Sequence, residues 1–193
     1  MLTKIRRVWW EINKPLFWYD FLYYFIESIP GLAGQKIRGG LVSKYSARCD
    51  GGKLIIHRRA TLQGIHSLTL GENVQIGQDV FIQANGKVTL EDDVMIGPGT
   101  KIWSVNHKFE DINVPIYDQG YTQEAVTIKK GVWIGANSFV MPGVTLPEGC
   151  VVCACTVVNK KKYKPYSILS GNPCRMIGTR SPQGEKQLDY TKD

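Results

Sequence analysis

The chain contains only three histidines, and one of them, His107, lies in a segment that is rich in carboxylates. Three of the four acids in that segment are candidates to orient the imidazole or to hold acceptor hydroxyls: Glu110, Asp111 and Glu124. An imidazole has an unperturbed pKa of about 6.5, so at neutral pH it can take a proton from an attacking hydroxyl and return one to a leaving group. His107 is therefore a candidate general base, and the alternative is an ordinary exposed loop histidine. The other two histidines are predicted to be surface or turn residues: His57 and His66.

Cysteines form a second candidate cluster, because Cys150, Cys153 and Cys155 fall within six residues. A structural zinc site needs four ligands, and no second Cys/His cluster completes the set. The total of five cysteines is odd, which argues against a disulfide framework and for a reducing compartment. We predict no metal site and small apolar packing residues at these positions.

The composition sets the size of the fold and the charge of its partners. With 193 residues and 43% hydrophobic residues, the chain is long enough for one domain with a core, and wholesale disorder is excluded. Lys and Arg outnumber Asp and Glu by 24 to 17, which favours anionic partners such as phosphorylated cofactors or lipid head groups. Nucleic acid is not favoured, because the aromatic residues cluster away from most of the basic ones.

A six-residue repeat positions these candidates. Between Val126 and Lys161 the chain reads VTIKKG, VWIGAN, SFVMPG, VTLPEG, CVVCAC, TVVNKK, with one aliphatic residue at the third position of every hexad. Those aliphatic residues are Ile128, Ile134, Val140, Leu146, Val152 and Val158. The same pattern occurs upstream at Leu70, Ile76 and Ile82, resumes after two extra residues at Leu90, Ile96 and Ile102, and extends more loosely to Ile56 and Leu62.

A period of six fits neither an α-helix nor a hairpin meander. It fits short strands joined by tight turns, three to a triangular coil of about eighteen residues, with coils stacked at roughly 4.8 Å. Gly, Asn and Asp follow the aliphatic positions, where a positive φ costs least. The sequence therefore predicts an all-β solenoid, a parallel β-helix. The longest interruption of the repeat is the segment 103–125, which is predicted to be an extruded loop carrying His107.

Residues 54–178 resemble the hexapeptide-repeat acyltransferases, in particular the maltose, galactoside and xenobiotic O-acetyltransferases and polysaccharide-modifying acetyltransferases. The resemblance rests on the hexads and on three phrases: VWIGAN at 132–137, MPGVT at 141–145 and GNPCRMI at 171–177. It implies a left-handed coil and a homotrimer with active sites between subunits. Similar enzymes carry a histidine before the extruded loop as general base, which implies that role for His107.

The same resemblance implies acetyl-CoA (coenzyme A) as the co-substrate. Small turn residues suit its narrow pantetheine arm and basic residues suit its phosphates. The implied cofactor-binding residues are Trp133, Gly135, Ala136, Ala154, Asn159, Lys160, Pro173 and Arg175. The implied acceptor-binding residues are Asn106 and Glu124. The segment 153–156 reads CACT where similar enzymes commonly carry Gly-Ala-Gly-Ser.

The N-terminal region is aromatic and basic. Nine aromatic residues fall before position 26, interleaved with Lys4, Arg6, Arg7 and Lys14, and a helix is predicted with Asn13 as its cap and Pro30-Gly31 at its end. The apolar run is too short and too charged to span a membrane. Two interpretations stay open: the helix covers the end of the solenoid, or it lies in the interface of an anionic membrane.

These observations predict three regions: an N-terminal helical segment 1–40, a left-handed β-helix 41–178 with the loop 103–125, and a polar tail 179–193. The predicted activity is coenzyme A-dependent O-acetylation of a sugar or lipid-linked saccharide in surface polysaccharide biosynthesis. The protein is predicted to be cytoplasmic, with peripheral contact at the inner membrane face as a hypothesis. The alternatives are N-acetylation of an amino sugar and a non-catalytic β-helix scaffold.

Overall fold

Three parallel β-sheets form the walls of a three-sided β-helix, as the hexads predicted, and the coil is left-handed, as the family resemblance implied. The computed structural model describes residues 15–181 and 186–188. Sheet 1 contains β1 (Arg48–Cys49), β4 (Leu68–Leu70), β7 (Val88–Leu90), β12 (Val126–Ile128) and β15 (Thr145–Leu146). Sheet 2 contains β2 (Ile55–Ile56), β5 (Gln75–Ile76), β8 (Met95–Ile96), β13 (Trp133–Ile134), β16 (Val151–Val152) and β18 (Ser167–Ser170). Sheet 3 contains β3 (Thr61–Gln63), β6 (Phe81–Gln83), β9 (Lys101–Trp103), β14 (Phe139–Val140) and β17 (Val157–Val158).

Antiparallel strands occur outside the regular coils. Within the loop, β10 (Val105–His107) pairs with β11 (Tyr121–Gln123). At the C-terminal end, β19 (Arg175–Arg180) pairs with β18 and with β20 (Lys186–Leu188), so part of the predicted polar tail extends sheet 2. Two short 3-10 helices occupy Ile65–Ser67 and Ile116–Asp118.

The core is the inside of the coil. Every aliphatic residue that the hexads place inward, from Ile56 to Val158, is at most 3% exposed. The early coils repeat every 20 residues, as in the pairing of Leu68 with Val88, whereas the later ones repeat every 18, as in that of Thr127 with Thr145. The two additional residues in each early coil explain why the repeat shifts near position 86.

The turns between sheets 2 and 3 require a residue in the left-handed region of backbone conformation, with a positive φ. Asp79, Gly99, Asn137 and Cys155 occupy equivalent places in successive coils, and each has a φ between 56° and 69°. Gly135 stands two residues before Asn137 because the next coil is too close for a side chain: a Cβ there would lie 2.6 Å from the Ala154 nitrogen. These turns explain the Gly, Asn and Asp of the repeat.

Cys155 is the exception to that rule, since an ordinary side chain pays about 1–2 kcal/mol in the left-handed region. Replacing Cys155 by Gly should therefore raise the free energy of unfolding by about 0.5–1 kcal/mol, after the extra entropy of unfolded glycine is subtracted. Thermal unfolding at fixed protein concentration measures it. The control is Ala154→Gly, at a position that does not have a positive φ, which should lower stability. If Cys155→Gly also lowers the free energy of unfolding, the backbone at Cys155 is not strained.

Two helices cover the N-terminal end of the coil: α1 (Pro15–Ile26) and α2 (Gly31–Tyr45). Tyr19 and Tyr23 of α1 are buried, and the Tyr23 hydroxyl donates a 2.7 Å hydrogen bond to the Ala60 carbonyl. The interpretation of α1 as a cap is therefore correct for this side of the helix. Asn13, the predicted cap residue, lies outside the described residues.

The predicted extent of this region was wrong in one respect: α1 ends at Ile26, and Pro30-Gly31 begins a second helix that was not predicted. Glycine is a poor helix former, so α2, with four glycines, resembles a loop by propensity. Packing outweighs propensity, because a Cβ on Gly34 would lie 2.0 Å from the Ile29 carbonyl oxygen. Helix α2 runs through the boundary proposed at residue 40.

Candidate active site

His107 lies at the end of β10, on the hairpin that leaves the coil between sheets 3 and 1. It pairs with Tyr121 across the hairpin, and the two rings are 4.5 Å apart between centroids. Both side chains are exposed, so the hairpin presents the imidazole to the outside of the coil with one side covered by the tyrosine. The neighbouring Asn106 is also exposed, and its side-chain oxygen accepts a 3.0 Å hydrogen bond from the His107 backbone N–H.

The carboxylates of Glu110 and Asp111 accept hydrogen bonds from backbone N–H groups within the loop. Glu110 accepts a hydrogen bond from the Phe109 N–H, and Asp111 accepts one from the Asn113 N–H. The Gln119 amide donates to the carbonyls of Asp111 and Val114, which closes the loop. Within residues 15–181 neither Glu110 nor Asp111 orients the imidazole, so that expectation is not met inside a single chain.

Glu124 lies at the base of the hairpin, where the chain returns to the coil. Its N–H donates to the Ser104 carbonyl at 2.9 Å, and its carboxylate forms an ion pair with Lys160 from the last coils. Gly143 makes room for this pair, because a Cβ there would lie 2.6 Å from the Glu124 carboxylate oxygen. The acid and the lysine, both predicted site residues, are thus brought together on the edge that also carries His107.

A basic cavity of about 620 Å³ adjoins the same edge. Its lining residues are Gly143, Thr145, Pro147, Lys160, Lys161, Lys162 and Tyr163. Three consecutive lysines give it a positive field suited to phosphate groups. Asn159 adjoins this lining, since the Tyr163 hydroxyl donates to its backbone and side-chain oxygens at 2.7 and 3.1 Å.

Four of the remaining predicted cofactor residues lie on a different edge, between sheets 2 and 3: Trp133, Gly135, Ala136 and Ala154. Trp133 points outward from sheet 2 and is 47% exposed. Gly135 and Ala136 form the turn after it, and Ala154 lies above them in the next coil, where it is exposed. Small residues leave a narrow track along this edge.

Pro173 and Arg175 lie at the C-terminal end of the coil, and both are exposed. The Cys174 N–H between them donates to the Val157 carbonyl at 3.2 Å, which holds this turn against sheet 3. Burial raises the pKa of the Cys174 thiol and also that of the Tyr163 hydroxyl beside it, so both stay protonated at neutral pH.

The five cysteines differ in solvent exposure. Cys150 and Cys174 are buried, as predicted for packing residues, whereas Cys155 is exposed and Cys153 is half-buried. Burial raises the pKa of the Cys150 thiol. Within the described part of the chain, no group of three or more His, Cys, Asp or Glu side chains is arranged to hold a metal ion.

Comparisons with known proteins agree with the repeat and the coil. A family model described as bacterial transferase hexapeptide (six repeats) matches residues 125–160. A maltose O-acetyltransferase from Clostridium difficile has the same fold, with a TM-score of 0.73 at 23% identity over 87% of this chain and 90% of that one. Residues 125–160 thus carry the hexapeptide repeat of bacterial transferases, and the coil has the fold of that maltose O-acetyltransferase.

Two further proteins are similar to this chain. A probable acetyltransferase of Mycobacterium tuberculosis is 32% identical over 114 residues, which cover 59% of this chain and 38% of that protein. A hexapeptide-repeat acetyltransferase from Vibrio cholerae, solved with acetyl coenzyme A, has a TM-score of 0.66 at 23% identity over 83% of this chain and 84% of that one. The chain spans between 38% and 54% of the length of the first curated acetyltransferases that it matches.

Two residues on the edge that carries His107 were not predicted from the sequence. Tyr121 packs on the imidazole, and Gly143 admits the ion pair of Glu124 with Lys160. The repeat gives no register for a hairpin outside the coil, so the pairing of Tyr121 with His107 had no signal. Gly143 did have one, since it occupies a turn position of the hexad SFVMPG.

Proposed function

We propose that this protein transfers an acetyl group from acetyl-CoA to a hydroxyl of a sugar acceptor. The observation that supports this most is that the hairpin carrying His107 leaves the coil at the edge where Glu124 pairs with Lys160, a lysine that lines the basic cavity. The acetyl-CoA in the Vibrio cholerae structure supports the donor by analogy of fold.

The chemistry requires one base. An imidazole nitrogen of His107 takes the acceptor hydroxyl proton as the oxygen attacks the thioester carbonyl carbon. The tetrahedral oxyanion then collapses, the carbon–sulfur bond breaks, and the imidazolium returns the proton to the leaving thiolate. Asn106 and Glu124 adjoin the base and are proposed to hold acceptor hydroxyls.

The division of the candidate residues between two edges supports a homotrimer. His107, Glu124 and Lys160 lie on one edge, and Trp133, Ala136 and Ala154 lie on another. In a cyclic assembly, one edge of each protomer faces a different edge of its neighbour. We therefore propose that each active site combines the base of one protomer with the pantetheine track of the next. Exposed Trp133 and loop residues Ile112 and Tyr117 would be covered there.

A sugar hydroxyl, within a saccharide or a lipid-linked precursor of surface polysaccharide, is the proposed acceptor class. The proposed location is the cytoplasm, at the inner face of the membrane. An N-acyltransferase from Bacillus cereus shares the fold at a TM-score of 0.56, and amino sugars are therefore the second acceptor class to be tested.

Release of free thiol from acetyl-CoA tests the proposal. Purified protein is incubated with acetyl-CoA and a panel of neutral sugars, glycosides and amino sugars. Acceptor-dependent thiol release with a neutral sugar, and an acetyl ester in the product, is the expected result. An acetamide product would identify the N-acetylation alternative. No acceptor-dependent release combined with no binding of coenzyme A would favour the non-catalytic scaffold.

A further inference from the structure

One side of α1 carries a continuous aromatic surface that is exposed in the part of the chain that the structure describes. We call the aromatic face Trp18, Phe21, Leu22, Tyr24 and Phe25; these side chains are between 42% and 72% exposed. The rings contact one another, with centroids 5.8 Å apart for Trp18 and Phe21, 5.0 Å for Phe21 and Phe25, and 5.5 Å for Tyr24 and Phe25.

The geometry of α1 separates two surfaces. Tyr19 and Tyr23, four residues apart, point into the end of the coil, and the aromatic face occupies the opposite side of the helix. The helix acids Asp20 and Glu27 are seven residues apart and lie at the border of the aromatic face. Capping the coil therefore uses only half of α1, and the two interpretations of this helix do not exclude each other.

The net charge of the N-terminal region indicates which kind of surface the aromatic face binds. Residues 1–48 contain eight Lys and Arg against three Asp and Glu, which is +5 of the chain's formal +7. Four of these cations precede α1 in the sequence and lie outside the described residues: Lys4, Arg6, Arg7 and Lys14. Three more are exposed after it: Lys36, Lys44 and Arg48. A second copy placed on this face would bring like charges together, whereas an anionic surface would be complementary.

The length of α1 determines how it would lie. Its 12 residues extend about 18 Å, well short of the roughly 30 Å of a bilayer core. Within residues 15–181, no helix is long and apolar enough to cross a membrane. A short helix with Trp, Tyr, Phe and Leu on one side and cations nearby is suited to lie flat at head-group depth.

We propose that the aromatic face of α1 docks this protein on the surface of an anionic lipid bilayer. The docking places the coil end against the membrane and does not depend on the transfer chemistry proposed above. The rings enter the head-group region, and the exposed Lys36, Lys44 and Arg48 contact the lipid phosphates.

Vesicle flotation with the full chain tests this. The probes are phosphatidylcholine vesicles with and without 30% phosphatidylglycerol. The test variant is Phe21→Ser/Phe25→Ser, and the control is Tyr166→Ser/Met176→Ser, which removes two exposed apolar side chains from the C-terminal end of the coil. Circular dichroism and elution volume are measured for each variant.

We expect wild type and control to float with the anionic vesicles. The Phe21→Ser/Phe25→Ser variant should bind at least tenfold more weakly, and 1 M KCl or removal of the anionic lipid should weaken wild-type binding about tenfold. Equal binding by the test variant, or no binding by wild type, would overturn the proposal. A test variant that changes elution volume and leaves vesicle binding intact would assign the face to contact between proteins instead.

Discussion

Replacing His107 by Asn should lower kcat for acetyl transfer by about two to four orders of magnitude, which is the usual contribution of a positioned general base. Asn keeps a polar side chain of similar size and cannot carry the proton through the reaction. Because His107 is exposed on a hairpin outside the coil, the substitution should leave the free energy of unfolding unchanged. Initial rates of thiol release at saturating acetyl-CoA measure the loss.

The matched control is His66→Gln. His66 is also exposed, and it lies in a 3-10 helix between sheets 3 and 1, two coils away from the hairpin. Its variant should retain wild-type kcat. A His107→Asn enzyme that keeps more than about a tenth of the wild-type rate would remove the imidazole from the role of base.

Replacing Arg38 by Met should lower the free energy of unfolding by about 3 kcal/mol or more, the largest stability effect expected in the N-terminal region. Arg38 is 1% exposed. Its Nε donates to the Ile56 carbonyl at 3.0 Å, and its Nη1 donates to the carbonyls of Ile26, Glu27 and Ile29 at 2.8–3.2 Å. One guanidinium thus joins the end of α1 to the first coil, and its loss leaves these carbonyls without their donor.

Urea unfolding and amide hydrogen exchange measure this effect, and Lys36→Met is the control because Lys36 is exposed on the same helix. The control should change stability by less than about 0.5 kcal/mol. In Arg38→Met, the amides of α1 should exchange first, since the helix is released from the coil. Unchanged protection of α1 would mean that Tyr19 and Tyr23 alone hold it in place.

The coil could be predicted because each of its rules is local. An inward aliphatic residue every six positions and a Gly, Asn or Asp at the turns are sufficient, and Ile134 and Asn137 satisfy both requirements in one hexad. Helix α2 could not be predicted in this way. Its glycines disfavour a helix, and the close approach of Gly34 to Ile29 and of Gly39 to Leu54 is visible only in the folded chain.

The site was predictable in its residue types and not in its arrangement. His107 was identified because the segment around it lacks the repeat, and Lys160 because it begins a basic run. The contact of Glu124 with Lys160 joins residues 36 positions apart, and the repeat alone does not specify it. His107 lies on the edge between sheets 3 and 1, and Ala154 lies on the edge between sheets 2 and 3. This separation becomes clear only when each strand is assigned to its sheet.

Hybrid assemblies test most directly the claim that one protomer supplies the base and its neighbour the pantetheine track. His107→Asn and Ala154→Trp are each expected to be inactive alone. The first variant lacks the general base, and the indole of the second blocks the pantetheine track. Co-expressed in equal amounts, they should form rings in which about one quarter of the sites join an intact His107 to an intact Ala154, and activity should return to about a quarter of wild type. Mixed assemblies that stay as inactive as their parents, or an Ala154→Trp enzyme that is active alone, would contradict the account.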